Sequence, residues 1–287
     1  MRAGARGPLL GDHLRKLYDA ERHAHIATLT NNDPLTADGS YRAQYLWMLG
    51  YPDQAVELSD AKDEHARQRN HPFDLCFALT VGAQVFDYRR EPEALLQRVD
   101  EAIRVGREHR IPLMSEVMAQ LVRGAAWLAE GRPDDAAQLI RPALTELGKT
   151  GHRAWVPYVR ANLAEAVARA GDPVGGLALL EASLEQIERQ GERVHLAEVL
   201  RRKGRMLMEI DETEEAEQLL REAVAFAQTQ GTRSWELRAS TTLAELLVRR
   251  DDRPAALALL TPIYEWFTEG LDTPDLVEAR ILLTELS

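Results

Sequence analysis

The chain has 287 residues, with 46 acidic against 35 basic side chains and a net charge of −11 at pH 7. Hydrophobic residues make up 45% of it and aromatic residues 6%, and alanine and leucine dominate the apolar set. This composition excludes wholesale disorder and favours closely packed helices over a β-sandwich. The acidic excess argues against a general nucleic-acid binder, because neutralising phosphates requires a basic face.

Cysteine content and hydropathy argue against a disulfide-stabilised, zinc-binding or membrane-spanning protein. Cys76 is the single cysteine, so the sequence offers neither an internal disulfide nor a cysteine-based zinc site. No apolar run approaches the roughly 18 residues of a membrane span. Residues 1–8 are not followed by the apolar segment of a secretory signal. We therefore expect a cytoplasmic chain with no membrane partner.

The first predicted element covers residues 13–30, which read as helical with a break near Asp19. We interpret residues 1–33 as a tail with a partial repeat or cap. Asp33 and Pro34 follow as an N-cap and a first helical residue, and they open the first full repeat.

From there a short turn motif recurs along the chain. Residues 50–55 (GYPDQA) resemble residues 131–136 (GRPDDA) and residues 171–176 (GDPVGG). The last motif position recurs every 40 or 41 residues, at Ala55, Leu95, Ala136, Gly176, Ala216 and Ala256. Twelve residues earlier, every repeat has alanine or glycine, at Ala43, Ala83, Gly124, Ala164, Gly204 and Ala244.

This pattern is typical of tetratricopeptide (TPR) repeats, in which two antiparallel helices approach closely at small residues. The usual period is about 34 residues, so a period near 40 lengthens each helix by almost one turn. The sequence predicts an all-α fold, a right-handed TPR-like α-solenoid of antiparallel helix pairs. We expect one continuous domain with about six full repeats over residues 34–269. A C-terminal capping helix follows in residues 270–287, after Thr273 and Pro274.

Candidate sites for chemistry have simpler explanations in this pattern. The eight histidines are scattered, without a metal-binding motif. Residues 147–150 imitate the end of a phosphate-binding loop, but Ala143 replaces its first glycine, which favours a helix C-terminus. Cys76 is better explained as a small buried residue than as a nucleophile. The acidic run at residues 211–215 favours a helix start over a cation site. We expect no catalytic residues, no metal and no cofactor, and hence no enzyme.

The first helix of each repeat should line the inner groove of the solenoid. Aligning the repeats gives the candidate binding residues Phe77, Gln84, Met118, Tyr158, Glu165, Arg201, Arg205 and Glu245, with Glu198 and Arg238 among the further inward positions. Arg201 and Arg205 lie one turn apart and could clamp a carboxylate or a phosphate. The alternative is that they pair with Glu198 or Glu209 and are solvated.

Several segments carry a resemblance to a known family. They are residues 46–55, 71–73, 89–94, 191–193, 216–217 and, most specifically, 262–276. On these residues the chain, from about residue 11 to 287, resembles the C-terminal TPR-like repeat region of bacterial adenylate/guanylate cyclase–AAA/STAND ATPase signalling proteins. The cyclase and ATPase domains are absent, so the family's catalytic residues have no counterparts here.

The resemblance implies a non-catalytic scaffold or sensor that mediates protein–protein interaction in bacterial signal transduction or regulation. A protein or peptide would bind in the concave groove, and an ATPase or cyclase acting in trans is a further implied partner. The alternative is a metabolite-sensing arm of an ATPase-type regulator. A closed pocket with convergent polar groups favours the alternative, whereas an open trough favours a protein ligand.

Overall fold

All regular secondary structure in the described residues is helical, and none of these helices is long and apolar enough to span a membrane. The computed structural model describes Asp19, residues 32–151, Arg153 and residues 155–287; the helix predicted at residues 13–30 lies outside them. The helices are α1 (Pro34–Met48), α2 (Pro52–Arg69), α3 (Pro72–Thr80), α4 (Gln84–Tyr88), α5 (Pro92–Glu108), a π-helical segment (Leu113–Met118) that leads into α6 (Ala119–Ala129), α7 (Pro133–Lys149), α8 (Val156–Arg169), α9 (Pro173–Gln190), α10 (Leu196–Glu209), α11 (Thr213–Gln230), α12 (Arg233–Arg249), α13 (Arg253–Tyr264) and α14 (Pro274–Leu286).

Consecutive helices pack side by side as pairs. The first pair is α1 with α2, and the second is α3 and α4 with α5. The third pair is the π-helical segment and α6 with α7, followed by α8 with α9, α10 with α11, and α12 with α13. The last helix, α14, packs on α12 and α13. The predicted all-α solenoid of helix pairs is confirmed. The division at residues 33 and 269 stays a prediction, because residues 1–33 lie almost wholly outside the described part.

The turn within each pair contains a residue in the left-handed region. Glycine takes this position in three pairs, for example Gly50 with φ of 96°. Arg90, Asp211 and Asp251 take it in the other three, with φ between 62° and 64°. Aspartate tolerates this conformation better than most residues, and glycine adopts it without steric cost. The recurring turn motif of the sequence is thus a helix stop followed at once by a new helix.

The small-residue position marks close helix crossings, as predicted. A Cβ at Gly204 would lie 2.8 Å from Cγ of Leu220, and a Cβ at Gly124 would clash with Ile140. Leu220 and Ile140 are completely buried. Glycine is unfavourable inside a helix, so the need for space outweighs helix propensity here.

The first helix of the second pair is interrupted. It ends at Thr80 and restarts at Gln84. The buried Lys62 ammonium donates to the carbonyl of Ala78 at 2.7 Å, and Gln44 Nε2 donates to the carbonyl of Val81 at 2.8 Å. Side chains of the first pair therefore take backbone acceptors in α3 and in the residue that follows it, and the helical hydrogen-bond pattern is interrupted.

The solenoid closes on itself, because the first pair contacts the sixth. Ser234 on α12 donates a hydrogen bond to the carbonyl of Trp47 on α1, and the Trp47 and Trp235 rings meet edge to face at 4.6 Å. The Glu269 carboxylate accepts from the backbone N–H of Asp53 at 3.0 Å. The inner helices consequently surround a central cavity that is partly open to solvent.

Candidate functional site

Five aromatic side chains from five different pairs meet inside the closed solenoid. We call this cluster the aromatic plug. Tyr88 is at its centre: its ring lies 4.9 Å from Trp47 and 5.3 Å from both Tyr158 and Trp235, and its hydroxyl shares a 2.7 Å hydrogen bond with Nε2 of His195. All five side chains are buried. Edge-to-face contacts of this kind add to the free energy of burial, so the plug joins distant repeats into one core.

Burial perturbs the titratable groups of the plug. The pKa of His195 falls to about 4, because desolvation disfavours the charged imidazolium. His195 is therefore neutral at pH 7 and can share its proton or lone pair with the Tyr88 hydroxyl. Burial also raises the pKa of Tyr88 and of Tyr158 well above 10, so both remain neutral hydrogen-bonding groups.

A cavity of about 720 Å³ lies beside the plug, and Tyr158 belongs to both. The lining comes mainly from the inner helices of the second to sixth pairs and from the start of α14. Of the described residues, six arginines and seven acidic residues line it. They are Arg90, Arg169, Arg201, Arg202, Arg205, Arg238, Asp87, Glu165, Glu198, Glu209, Glu245, Asp275 and Glu278.

Glu198 is the buried centre of this charge network. It accepts two hydrogen bonds from Arg201, at 2.7 and 2.8 Å, and one from Arg202 at 2.7 Å. Arg238 lies 3.9 Å away. Burial alone would raise the pKa of the Glu198 carboxyl, but the three arginines outweigh burial and lower it. Glu198 therefore fixes the orientation of three cationic side chains.

Asp87 forms a second polar centre. Its carboxylate accepts from Gln84 Nε2 at 2.6 Å, from the Tyr158 hydroxyl at 3.0 Å and from Asn162 Nδ2 at 3.5 Å. Burial raises the pKa of this carboxyl. Because Asn162 also accepts from Arg202 at 2.6 Å, the two polar centres form one continuous network.

The remaining cavity arginines are held more loosely. Arg205 has a single ion pair, with Glu245 at 2.7 Å, and the two side chains are 43% and 33% exposed. Arg90 contacts Glu278 of α14 at 2.8 Å and Asp275 of α14 at 3.5 Å, and it is 44% exposed. Solvated pairs of this kind contribute little free energy, so these guanidinium groups can exchange partners at low cost.

Five of the eight predicted binding residues line this cavity: Tyr158, Glu165, Arg201, Arg205 and Glu245. Phe77, Gln84 and Met118 do not. Phe77 and Met118 pack in the hydrophobic core, because the break after Thr80 and the π-helical segment change the helix register in these two pairs. Gln84 is buried against Asp87. The alternative prediction, that Arg201 and Arg205 pair with Glu198 or Glu209, is correct in part. Arg201 pairs with Glu198, but Arg205 pairs with Glu245 instead of Glu209.

The cavity is also lined by Asp87, Asn162 and Arg202, which the repeat alignment does not mark as binding residues. Asn162 and Arg202 are one 40-residue period apart, beside positions already predicted to face inward. Asp87 occupies the position of Trp47 and Met208 in the other repeats, and a carboxylate in an otherwise apolar position was the available signal.

Two features of the described residues bear on metal binding and on the reactivity of the cysteine. The described residues contain no cluster of three His, Cys, Asp or Glu side chains arranged to hold a metal. Cys76 is fully buried, and burial raises the pKa of its thiol to about 11, so it is unreactive at neutral pH. The predicted structural role of Cys76 is confirmed.

A family model of the tetratricopeptide repeat matches three segments, residues 117–142, 157–182 and 237–260. Each segment begins in the first helix of a pair and continues into the second helix. These three segments are similar to tetratricopeptide repeats. No curated protein matches the chain significantly.

Solved structures of similar fold support the TPR-like architecture. The apo form of RapI has a TM-score of 0.60 at 13% identity, over 96% of this chain and 97% of that one. A Rap protein complexed with Competence and Sporulation Factor has a TM-score of 0.59 at 11% identity, over 88% and 74%. BtubC from P. vanneervenii has a TM-score of 0.52 at 17% identity, over 76% and 89%. At these identities the likeness shows the fold alone.

Proposed function

We propose that this chain is a non-catalytic TPR scaffold or sensor that binds a partner protein through a peptide segment inserted into the cavity. The observation that carries the proposal is the cavity itself, about 720 Å³ of space between the inner helices that is partly open to solvent. Binding sites commonly have volumes of about 300–1,000 Å³ and a few convergent polar groups. A short peptide segment would bring backbone and side-chain polar groups to such a surface.

The network around Glu198 supports this proposal energetically. Because Glu198 and Asp87 hold the surrounding arginine, tyrosine and asparagine side chains in place, little conformational entropy is lost when a ligand binds. A solenoid needs apolar faces to pack its helices, but it has no packing requirement for so many charged groups facing inward. A Rap protein of similar fold is complexed with Competence and Sporulation Factor, and this supports the proposal.

The sequence resemblance adds the expected biological setting. It supports a role in bacterial signal transduction, with an ATPase or cyclase in trans as one class of partner. Mixing the purified chain with a candidate ATPase or cyclase and measuring complex formation by size-exclusion chromatography tests this part by itself.

Metabolite sensing is the second candidate, and the convergence of polar side chains on the cavity favours it. A cavity of this size lined by a few convergent polar groups also suits a small polar molecule. Native mass spectrometry of the chain purified from its host distinguishes the two functions. A retained small molecule favours metabolite sensing, and a chain free of ligand that co-purifies with a protein favours the scaffold.

The central test uses a variant that fills the cavity from its rim. Ala129 is exposed and lines the cavity, so Ala129→Trp places a large side chain in the cavity without disturbing the core. Ala225, exposed on the outer helix α11, gives the matched control Ala225→Trp. Affinity capture with wild type, Ala129→Trp and Ala225→Trp as bait should return the same partner with wild type and control, and lose it with Ala129→Trp. Equal capture by all three would place the binding surface elsewhere and contradict the proposal.

A further inference from the structure

The last helix supplies carboxylates to the cavity that the six helix pairs form. Asp275 of α14 accepts a hydrogen bond from Arg238 Nε at 2.8 Å. Glu278, one turn later, accepts from Arg90 Nη1 at 2.8 Å. Arg90 follows α4 and Arg238 lies on α12, so α14 places two acidic side chains on arginines of the second and sixth pairs.

These two carboxylates change the balance of charge in the cavity wall. Of the described lining residues, the six pairs and their turns contribute six arginines and five acids, and α14 contributes the other two acids. The wall built by the repeats therefore has one more positive than negative side chain, and the two acids of α14 turn this into an excess of one negative side chain. Arg238 and Arg90 already hold carboxylates at hydrogen-bonding distance, which identifies carboxylate as the group that this wall accepts.

Helix α14 is attached in a way that permits exchange at this end. Of its 13 residues, Leu276, Ala279 and Leu286 are buried, and its first turn lies at the cavity. The Arg90–Glu278 pair is solvated, since the two side chains are 44% and 52% exposed. An incoming carboxylate can replace Glu278 there with little loss of free energy. Arg205, with its single solvated pair, offers a second site for the same group.

We propose that the cavity recognises a peptide through a carboxylate, and that Asp275 and Glu278 occupy the carboxylate site as a built-in competitor until the peptide binds. The inference rests on the proposed function, because it assumes a peptide in this cavity. The carboxylate comes either from an acidic side chain or from a free peptide C-terminus. Arg238 also donates to the Tyr88 carbonyl, so displacement of Asp275 is transmitted to the contact between the second and sixth pairs.

The test uses two pools of random pentapeptides, one with free C-termini and one amidated, captured on the immobilised full chain and quantified by mass spectrometry. The double variant Asp275→Asn/Glu278→Gln removes the competitor and keeps the side-chain shapes. The control Glu265→Gln/Glu285→Gln removes two charges from exposed residues that do not line the cavity. Melting curves verify that both variants fold.

We expect wild type to retain carboxylate-bearing peptides selectively. The cavity double variant should retain them about tenfold more strongly, as the loss of a charged competitor implies, and the control should match wild type. Arg205→Gln should weaken retention. Enrichment of aspartate and glutamate in the amidated pool would identify an acidic side chain as the source, and retention of the free pool regardless of composition would identify the C-terminus.

Two outcomes contradict the inference in distinguishable ways. Retention of basic or apolar peptides that the Asp275→Asn/Glu278→Gln substitution does not change would contradict both carboxylate recognition and competition by α14. It would leave the proposal of peptide binding intact. No retention of either pool by wild type and by the double variant would overturn peptide binding in the cavity as well.

Discussion

Acidification should destabilise this protein through one buried histidine. The pKa of His195 is about 4 in the folded chain, against 6.5 for an exposed imidazole. Because the folded value is the lower one, neutral His195 contributes stability above pH 6.5, and this contribution is lost as the pH falls towards 4. The full difference corresponds to about 3 kcal/mol, of which about 2 kcal/mol should be lost between pH 7.5 and pH 5.

The assay is urea unfolding at pH 7.5 and pH 5, comparing wild type with His195→Gln. Glutamine keeps a hydrogen-bonding group for the Tyr88 hydroxyl but does not titrate. Glu198 has a lowered pKa, so its contribution to stability is lost only at pH values below about 4.5, and staying at pH 5 keeps it out of the measurement. The other charged neighbour of the imidazole, Arg202, stays protonated throughout.

The wild type should lose about 2 kcal/mol more than His195→Gln between the two pH values. His109→Gln is the matched control, since His109 is exposed, and it should behave like wild type. Equal losses in wild type and His195→Gln would refute the assignment of His195 to a desolvated plug and the closure that desolvates it.

Three further predictions follow from packing, charge and chemistry. Gly204→Leu should overpack the helix crossing against Leu220 and lower the free energy of unfolding by about 1–3 kcal/mol. Gly148 has open space around it, so the control Gly148→Leu should be tolerated. An unchanged denaturant midpoint for Gly204→Leu would contradict the repeat alignment. Glu198→Gln should lower the free energy of unfolding by about 3–5 kcal/mol, because three arginines lose a buried partner. Glu245→Gln, which affects a solvated pair, should lower it by less than about 1 kcal/mol. Similar losses for the two variants would contradict the central role of Glu198 in the charge network. The purified chain should neither hydrolyse nor cyclise ATP in phosphate-release and cyclic-nucleotide assays, and turnover abolished by a point substitution in this chain would overturn that expectation.

The helix pairs could be predicted from sequence because their physical cause recurs locally. Each pair needs a small residue where its helices cross, and the alanines and glycines at 40- or 41-residue spacing record that need. The same alignment put Arg205 and Glu245 in one inward position of adjacent repeats, and the structure places them in an ion pair. Interactions between neighbouring repeats are thus encoded in the period.

Closure could not be predicted in this way. A repeat alignment treats all units as equivalent, so it carries no signal that the first unit meets the sixth. Trp47 lies eight residues before Ala55, whereas Trp235 lies 21 residues before Ala256, and no shared position marks them as partners. The plug is formed from different positions in different repeats, because the curvature of the whole solenoid brings them together. The central cavity follows from that curvature.

Intramolecular crosslinking between the first and last repeats tests this closure, on which both proposals depend. Gln54 Nε2 lies 2.8 Å from Oε2 of Glu269, and Thr268 beside it is exposed. Gln54→Cys/Thr268→Cys keeps Glu269, and buried Cys76 does not compete for the reagent. A short bismaleimide should produce a monomeric, internally crosslinked chain in high yield at low protein concentration, while each single variant should not crosslink internally. A double variant that forms only dimers, or does not react across the two thiols, would show an open solenoid and contradict the account.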